Sequence, residues 1–294
     1  MTAVAAPLRF QVGARTLASI PRRVVRVAWS LDDVLAASPR ALPPLGDADG
    51  YVVTSLPEAL LAGMRTEGLI GHVRQRYVRY HTDLTIGHAR WLAGMSANAR
   101  SAMRRKVKRL AADIHAYRTP AELAQFHKLA RPLSATTYQA RLLGSGLPDD
   151  PAFRARADAL AAADGVRAWL LFHHGAPIAY LWCSAQGATL RYDHVGHDPA
   201  FAQLSPGTVL HAEAMRQLFE DRFRRFDFTE GEGQHKRQFA TGGTPCVELI
   251  LLRPTLANRA ALAALAGFDR AMALARRSAT TGLAKRLADR IRRA

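Results

Sequence analysis

Between Arg225 and Phe239 the chain gathers side chains suited to chemistry. Arg225-Phe226-Asp227-Phe228 reads as the end of a strand. Thr229 to Gln234 reads as a Gly-rich turn, and His235-Lys236-Arg237 as the start of a short helix. A carboxylate at a strand end, a flexible turn and a cluster of cations suit an anionic or thioester substrate. The Lys236 ammonium can stabilise a developing oxyanion or hold an anionic group; the alternative is a solvated surface lysine. Asp227 either orients Lys236 or caps the turn after it. Glu230 and Glu232 flank Gly231 and are candidate bases for an amine acceptor, a choice that geometry decides. His235 is either a proton shuttle or a packing ring.

Upstream, Leu204-Ser205-Pro206-Gly207-Thr208 opens an amphipathic helix. The first N–H groups of a helix have no intrahelical partner and can face a phosphate. Gly207 permits close backbone approach, and Ser205 and Thr208 add hydroxyls. An ordinary helix start has the same composition. On the strand before it, alternation puts Tyr192 and His194 on one face and Asp193 on the other. His173, His174, His197 and His211 show no spacing of a metal site, so none is expected. Neither a serine-nucleophile motif nor a Cys/His dyad stands out, which fits direct transfer without a covalent enzyme intermediate.

These residues need elements to position them. Val166 to Phe172, Pro177 to Ser184 and Thr189 to Val195 read as strands separated by His174-Gly175 and Gln186-Gly187, the pattern of an antiparallel meander. A helix from Gly207 to about Phe219 follows, then the strand at Arg225, the motif turn, and a strand from Val247 to Leu252. Before the meander, Ser96 caps a helix whose Ala99, Met103, Val107 and Leu110 recur on one face. Its other faces carry Arg100, Arg104, Arg105, Lys106, Lys108 and Arg109 with no acid. Ile114 to Tyr117 is a strand, and helices begin at Thr119-Pro120 and Pro151. Further upstream, Leu8 to Val12, Val24 to Ala28, Tyr51 to Thr54 and Tyr77 to Leu84 read as strands, with a helix starting at Pro57. After Pro254 the chain is helical and Ala-rich, with Leu262, Leu265 and Met272 on one face. The order is α+β.

In this order, Ser205-Pro206-Gly207, then Asp227-Phe228, Gly231, Lys236 and Phe239 resemble the acyl-CoA-dependent acetyltransferases of the GNAT superfamily. The resemblance is to the FemAB-like and CelD-type branch linked to polysaccharide and envelope biosynthesis. It covers roughly residues 90–253 and departs at His235, where that branch usually has Tyr. It implies a largely antiparallel mixed sheet flanked by helices, with acetyl-CoA or another acyl-CoA as co-substrate. The CoA pyrophosphate would lie at Ser205, Gly207 and Thr208. Lys236 would assist transfer, with Asp227 and Glu230 beside it. The strand carrying His194 borders the cleft in such a sheet, which makes His194 a candidate base or a packed residue. Ser134 to Gln139 resembles a polar segment of related chains that lines the acceptor pocket, or is a helix-to-loop transition. Tyr138, Tyr192 and His235 are the substrate-binding candidates. Donor and acceptor remain two questions, because FemAB-like relatives also use aminoacyl-tRNA.

Composition bounds the rest. At 294 residues and 49% hydrophobic content, a folded chain is expected. The expected division is 1–90 as an N-terminal α/β segment, 91–253 as the transferase domain and 254–294 as a basic helical tail. Cys183 and Cys246 read as buried thiols. The start of the chain has no apolar run of a signal peptide, and a cytoplasmic protein is the default. A net charge of +17 exceeds what one CoA explains. An Arg- and Ala-rich composition accounts for part of it. The remaining partners are a saccharide or small-molecule acceptor, nucleic acid, or an anionic membrane surface met by Leu283, Leu287 and Ile291 with their basic neighbours. A binding protein without catalysis, built on the same fold, is the rival class.

Overall fold

The computed structural model describes residues 4–278, apart from 6, 13–14, 65, 67, 137–145 and 232. Tyr138, Gln139, Glu232 and the tail residues Leu283, Leu287 and Ile291 therefore lie outside the described residues. The fold is α+β, with a largely antiparallel sheet flanked by helices. The chain forms two compact units.

The first unit draws its described residues from Met1–Trp29, Ala36–Arg76 and Pro245–Ala294. Strands β1 (Val4–Ala5) and β4 (Arg23–Ala28) pair antiparallel, and β2 (Leu8–Val12) forms a hairpin with β3 (Arg15–Ile20). Strand β4 lies parallel to β5 (Gly50–Pro57), and β5 antiparallel to the last strand, β12 (Gly242–Leu252). Helix α8 (Leu256–Ser278) buries Leu262 and Leu265 with Leu8, Val24, Ile250 and Leu252. Pro57 does not open a helix. It ends β5 with extended backbone (φ −54°, ψ 129°), and only a 3₁₀ turn, Glu58–Leu60, follows.

The second unit comprises Ser30–Leu35, which holds most of helix α1 (Leu31–Ala36), and Tyr77–Thr244. Its sheet runs β6 (Ile70–Asp83), β11 (Arg225–Asp227), β10 (Thr189–His197), β9 (Ala176–Gln186), β8 (Val166–His173), β7 (Asp113–Tyr117). Pairing is antiparallel except between β10 and β11. Both faces are covered, so β8 and β9 are long buried runs rather than alternating ones. One face carries α2 (His88–Gly94), α3 (Ala97–Leu110), α6 (Pro206–Leu218) and α7 (Gln234–Phe239), which pack Trp91, Met103, Met215 and Phe239 onto Cys183, Tyr192, Phe226 and Phe228. The other carries α4 (Pro120–Thr136) and α5 (Pro151–Ala162), which enclose Phe126, Tyr180 and Trp182.

Ser96 caps α3 by accepting from Ala99 N–H. The apolar stripe of α3 is narrower than its spacing implied: Met103 and Leu110 are buried, whereas Val107 is 44% exposed.

A bulge in β10 redirects the site. Tyr192 pairs opposite Cys183, but His194 pairs opposite Trp182, so Asp193 is the extra residue. Tyr192 therefore shares a face with Cys183, and His194 shares the opposite face with Trp182. The expectation that Tyr192 and His194 lie on one face is corrected here. Asp193 accepts a hydrogen bond from the Ser184 hydroxyl across the strands.

Candidate functional site

The parallel pair β10–β11 is short, spanning Thr189 to Arg191 against Arg225 to Asp227. Beyond Asp227 the chain leaves β10. Phe228 N–H donates to the Tyr80 carbonyl at 3.1 Å. Thr229 and Gly231 then take left-handed backbone angles (φ 57° and 85°) that turn the chain toward α7.

Asp227 is fully buried and meets Arg79, which is only 2% exposed. Asp227 pairs opposite His81 in the ladder, so Arg79, two residues along the same face, reaches its carboxylate. The Arg79 guanidinium donates twice, at 3.1 and 2.5 Å. Burial works against the guanidinium charge, but the Asp227 carboxylate more than offsets it and Arg79 stays protonated. Asp227 also accepts from Thr229 N–H at 2.8 Å, the local bond of an Asx turn. Of the two roles expected for Asp227, the geometry has it binding the turn. Its influence on Lys236 is Coulombic.

Lys236 is 7% exposed, so it is not a solvated surface lysine. Its ammonium donates to the Glu230 carbonyl at 2.6 Å and lies 5.9 Å from the Tyr192 ring centroid. Burial pulls its pKa down to about 8, against the opposing pull of Glu230 and Asp227. The Glu230 side chain itself is exposed. His235 and Tyr192 meet, with His235 Nε2 3.3 Å from the Tyr192 oxygen. His211, one turn into α6, packs against both, with ring centroids 5.7 and 5.2 Å away.

Helix α6 starts as expected, with Pro206 in its first turn, but its amides are not all open. Ser205 adopts left-handed angles (φ 55°, ψ 49°), and its carbonyl accepts from Thr208 and Val209 N–H. Gly207 N–H has no partner among the described residues, and a Cβ built on Gly207 would meet nothing within 4 Å. Thr208 opens onto a cleft of about 960 Å³ that Arg90, Lys106, Gln234, Arg237 and Thr241 also line. Three cations and a helix start thus border one cleft.

His194 sits elsewhere. Its ring packs edge-on against Phe153 of α5, and burial lowers its pKa to about 4. It lies across the sheet from Tyr192, His235 and Lys236. Arg79, Arg90, Lys106 and His211 were missed by the sequence reading. The one available signal for Arg79 was a basic residue in a strand with the same parity as the buried Tyr77. Among the described residues, no group of three His, Cys, Asp or Glu could hold a metal ion, and no helix is long and apolar enough to cross a membrane.

Residues 97–237 match a family model described as acetyltransferase (GNAT) domain. No curated protein matches the sequence. In fold, the chain is similar to the C-terminal domain of a putative lysylphosphatidylglycerol synthetase from Agrobacterium fabrum, at 13% identity over 74% of this chain and 72% of that one, TM-score 0.51. It is similar also to L-PGS from Bacillus licheniformis, at 12% identity over 73% and 71%, TM-score 0.50. FemX is similar at 10% identity over 85% and 88%, TM-score 0.50. At such identities the likeness concerns the fold alone. The segment that holds α3, the meander, α6, β11 and most of the motif, residues 97–237, is thus the part of the chain that matches the GNAT acetyltransferase domain model.

Proposed function

We propose that this protein transfers an acetyl or other acyl group from an acyl-CoA to an amine or hydroxyl of a saccharide or other small acceptor. The observation that carries this reading is the cleft at the start of α6, where Thr208 meets Arg90, Lys106 and Arg237. Gly207 adds an amide without a partner among the described residues, and an added Cβ there would meet nothing within 4 Å. A helix start and convergent cations suit the phosphates of CoA. Lys236, its pKa lowered by burial yet still largely protonated at neutral pH, would stabilise the oxyanion of the tetrahedral intermediate. Ser205 and Thr208 supply hydroxyls at the same turn. A place in polysaccharide or envelope biosynthesis follows only from the resemblance of the motifs.

Gly207→Val tests the donor site cleanly. A Cβ added at Gly207 meets nothing within 4 Å, so the substitution should be felt by a ligand more than by the fold. The expected result is a rise of tenfold or more in the acetyl-CoA Kd by calorimetry, about 1.4 kcal/mol, with an unchanged melting temperature. An unchanged Kd in the folded variant counts against this site.

One observation favours a second donor. Arg104, Arg105, Lys108 and Arg109 are exposed along α3, beside Lys106 at the cleft. An aminoacyl-tRNA would use that face. It predicts tRNA binding whose affinity falls steeply with salt and which acetyl-CoA displaces. Tight acetyl-CoA binding with no tRNA competition excludes it.

A further inference from the structure

Helix α3 carries more charge than its fold uses. Its 14 residues, Ala97–Leu110, hold six cations and no acid. Arg100 is turned back to α2, donating to the Leu92 and Ala93 carbonyls at 3.2 and 3.3 Å. Lys108 and Arg109 lie in the last turn, where cations suit the helix dipole. Arg104, Arg105 and Lys106 serve neither purpose. None of the six is ion-paired with a described residue. The bonds of Arg105 and Arg109 go to neutral oxygens, the Ser101 hydroxyl and the Gln203 carbonyl. Elsewhere in this unit several arginines are matched by acids: Arg79 by Asp227, Arg167 by Asp221, Arg216 by Glu213 and Arg225 by Asp32. A general Arg bias explains the number of arginines, not why those on this helix stand unmatched.

At 3.6 residues per turn, Val107, Arg104, Lys108, Arg105 and Arg109 follow one another round the outer face of α3. All five are exposed. Val107, 44% exposed, is the one exposed large hydrophobic side chain among this unit's described residues. Lys106 comes next after Arg109 and lines the cleft with Thr208. From Lys106 back toward Ser96, Met103, Ala102 and Ala99 line it too, over about 10 Å at 1.5 Å per residue. The residues lining the cleft include three cations and no carboxylate. The basic face and the cleft thus meet along one side of α3, with Lys106 at the boundary.

A CoA thioester suits the cleft but gives the outer face no partner. A ligand that uses both is an anion with a body outside the cleft and an arm inside it. Val107 decides which body. Nucleic-acid phosphates have no use for an apolar side chain, and α3 has no aromatic ring for base stacking. A helix lying on a lipid surface buries a broad apolar face, where this one has a single valine. A folded protein with an acidic surface supplies carboxylates for the four outer cations and an apolar contact for Val107.

We propose that α3 docks an acidic carrier protein that delivers the acyl group on a phosphopantetheine thioester; this rests on the reading of the cleft as an acyl-donor site. Arg104, Arg105, Lys108 and Arg109 hold the carrier's carboxylates, with Val107 at their edge. The phosphate of the arm lies at Thr208 and Lys106, and the arm runs along Met103, Ala102 and Ala99. The acceptor's nitrogen or oxygen bonds to the thioester carbonyl carbon, and the carbon–sulfur bond breaks. The proton lost by the acceptor ends on the sulfur, so the carrier leaves as a free thiol. Acyl-CoA has the same arm without the body, and binds the cleft alone.

The test uses the full chain with three probes: acetyl-CoA, an acidic acyl carrier protein with an acetylated arm, and the same carrier without its arm. The acetylated carrier should bind on the order of tenfold more tightly than the armless one, with a Kd that rises steeply with salt. Excess acetyl-CoA should remove that difference, because both arms compete for one cleft. Arg104→Glu combined with Lys108→Glu should raise the carrier Kd by about tenfold or more. The acetyl-CoA Kd and the melting temperature should stay as in the parent. Val107→Ser should raise the carrier Kd about threefold and leave binding of tRNA unchanged. Three results overturn this inference alone, provided acetyl-CoA binds: a carrier Kd unmoved by the charge reversal, equal binding of the carrier with and without its arm, or tighter binding of tRNA or of phosphatidylserine vesicles than of the carrier. A protein that binds neither acetyl-CoA nor the acetylated carrier overturns the proposed function, and this inference with it.

Discussion

Lys236→Met is expected to reduce acyl transfer on the order of 10²–10³-fold, the usual effect of removing one oxyanion donor. Methionine keeps the length and suits a side chain that is 7% exposed, so the fold should stand. The acetyl-CoA Kd should stay within about threefold, because the loss falls on the transition state and not on the ground state. The pH profile separates this role from packing. Lys236 acts as an ammonium, and burial places its pKa near 8. Activity should therefore fall as pH rises through that value. The parent should show this alkaline limb, and Lys236→Met should lose it. A rate within about threefold of the parent, or an alkaline limb that survives the substitution, would remove Lys236 from the chemistry.

What the sequence made legible is what local chemistry decides. Ser96 caps α3 because a serine hydroxyl can reach Ala99 N–H, and this needs no tertiary context. His174-Gly175 turns β8 into β9 because both residues take positive φ there. Pro206 in the first turn of α6 has the same local origin. The β10 bulge was not legible, since Tyr192-Asp193-His194 alternates equally well with or without it. The insertion shows only when the partner strand is in place, opposite Cys183 and then Trp182. That single residue decides whether His194 joins the site. His211 showed only that it lacks the spacing of a metal site, and its tautomer becomes visible only through the Gly207 carbonyl and the packing of three elements around it. Lys236 stood out by its motif, yet its burial did not, because a basic residue in a short helix after a Gly-rich turn is ordinarily solvated.

The pair least visible in the sequence carries the largest expected effect on stability. Arg79 and Asp227 lie 148 positions apart, and both side chains are essentially buried, at 2% and 0% exposure. Removing one partner leaves the other charge buried and uncompensated, at a cost of about 3–5 kcal/mol. Arg79→Leu and Asp227→Leu should each show this loss in urea denaturation, read as a lower midpoint at constant slope. Replacing both by leucine removes both charges, and such exchanges are often neutral or stabilising. The double variant should recover most of the stability, short by about 1 kcal/mol for the acceptor that Thr229 N–H loses. It should not recover turnover. Asp227 holds Thr229, Thr229 begins the turn through Gly231, and that turn presents the Glu230 carbonyl to the Lys236 ammonium. With the carboxylate gone, the turn keeps its sequence but loses the bond that fixes its geometry, and a misplacement near 1 Å can cost about 10²-fold in rate. Stability and activity should therefore separate in the double variant. Single variants within 1 kcal/mol of the parent would show that the pair is not the buried tether seen here. A double variant as active as the parent would show that the tether serves the fold alone.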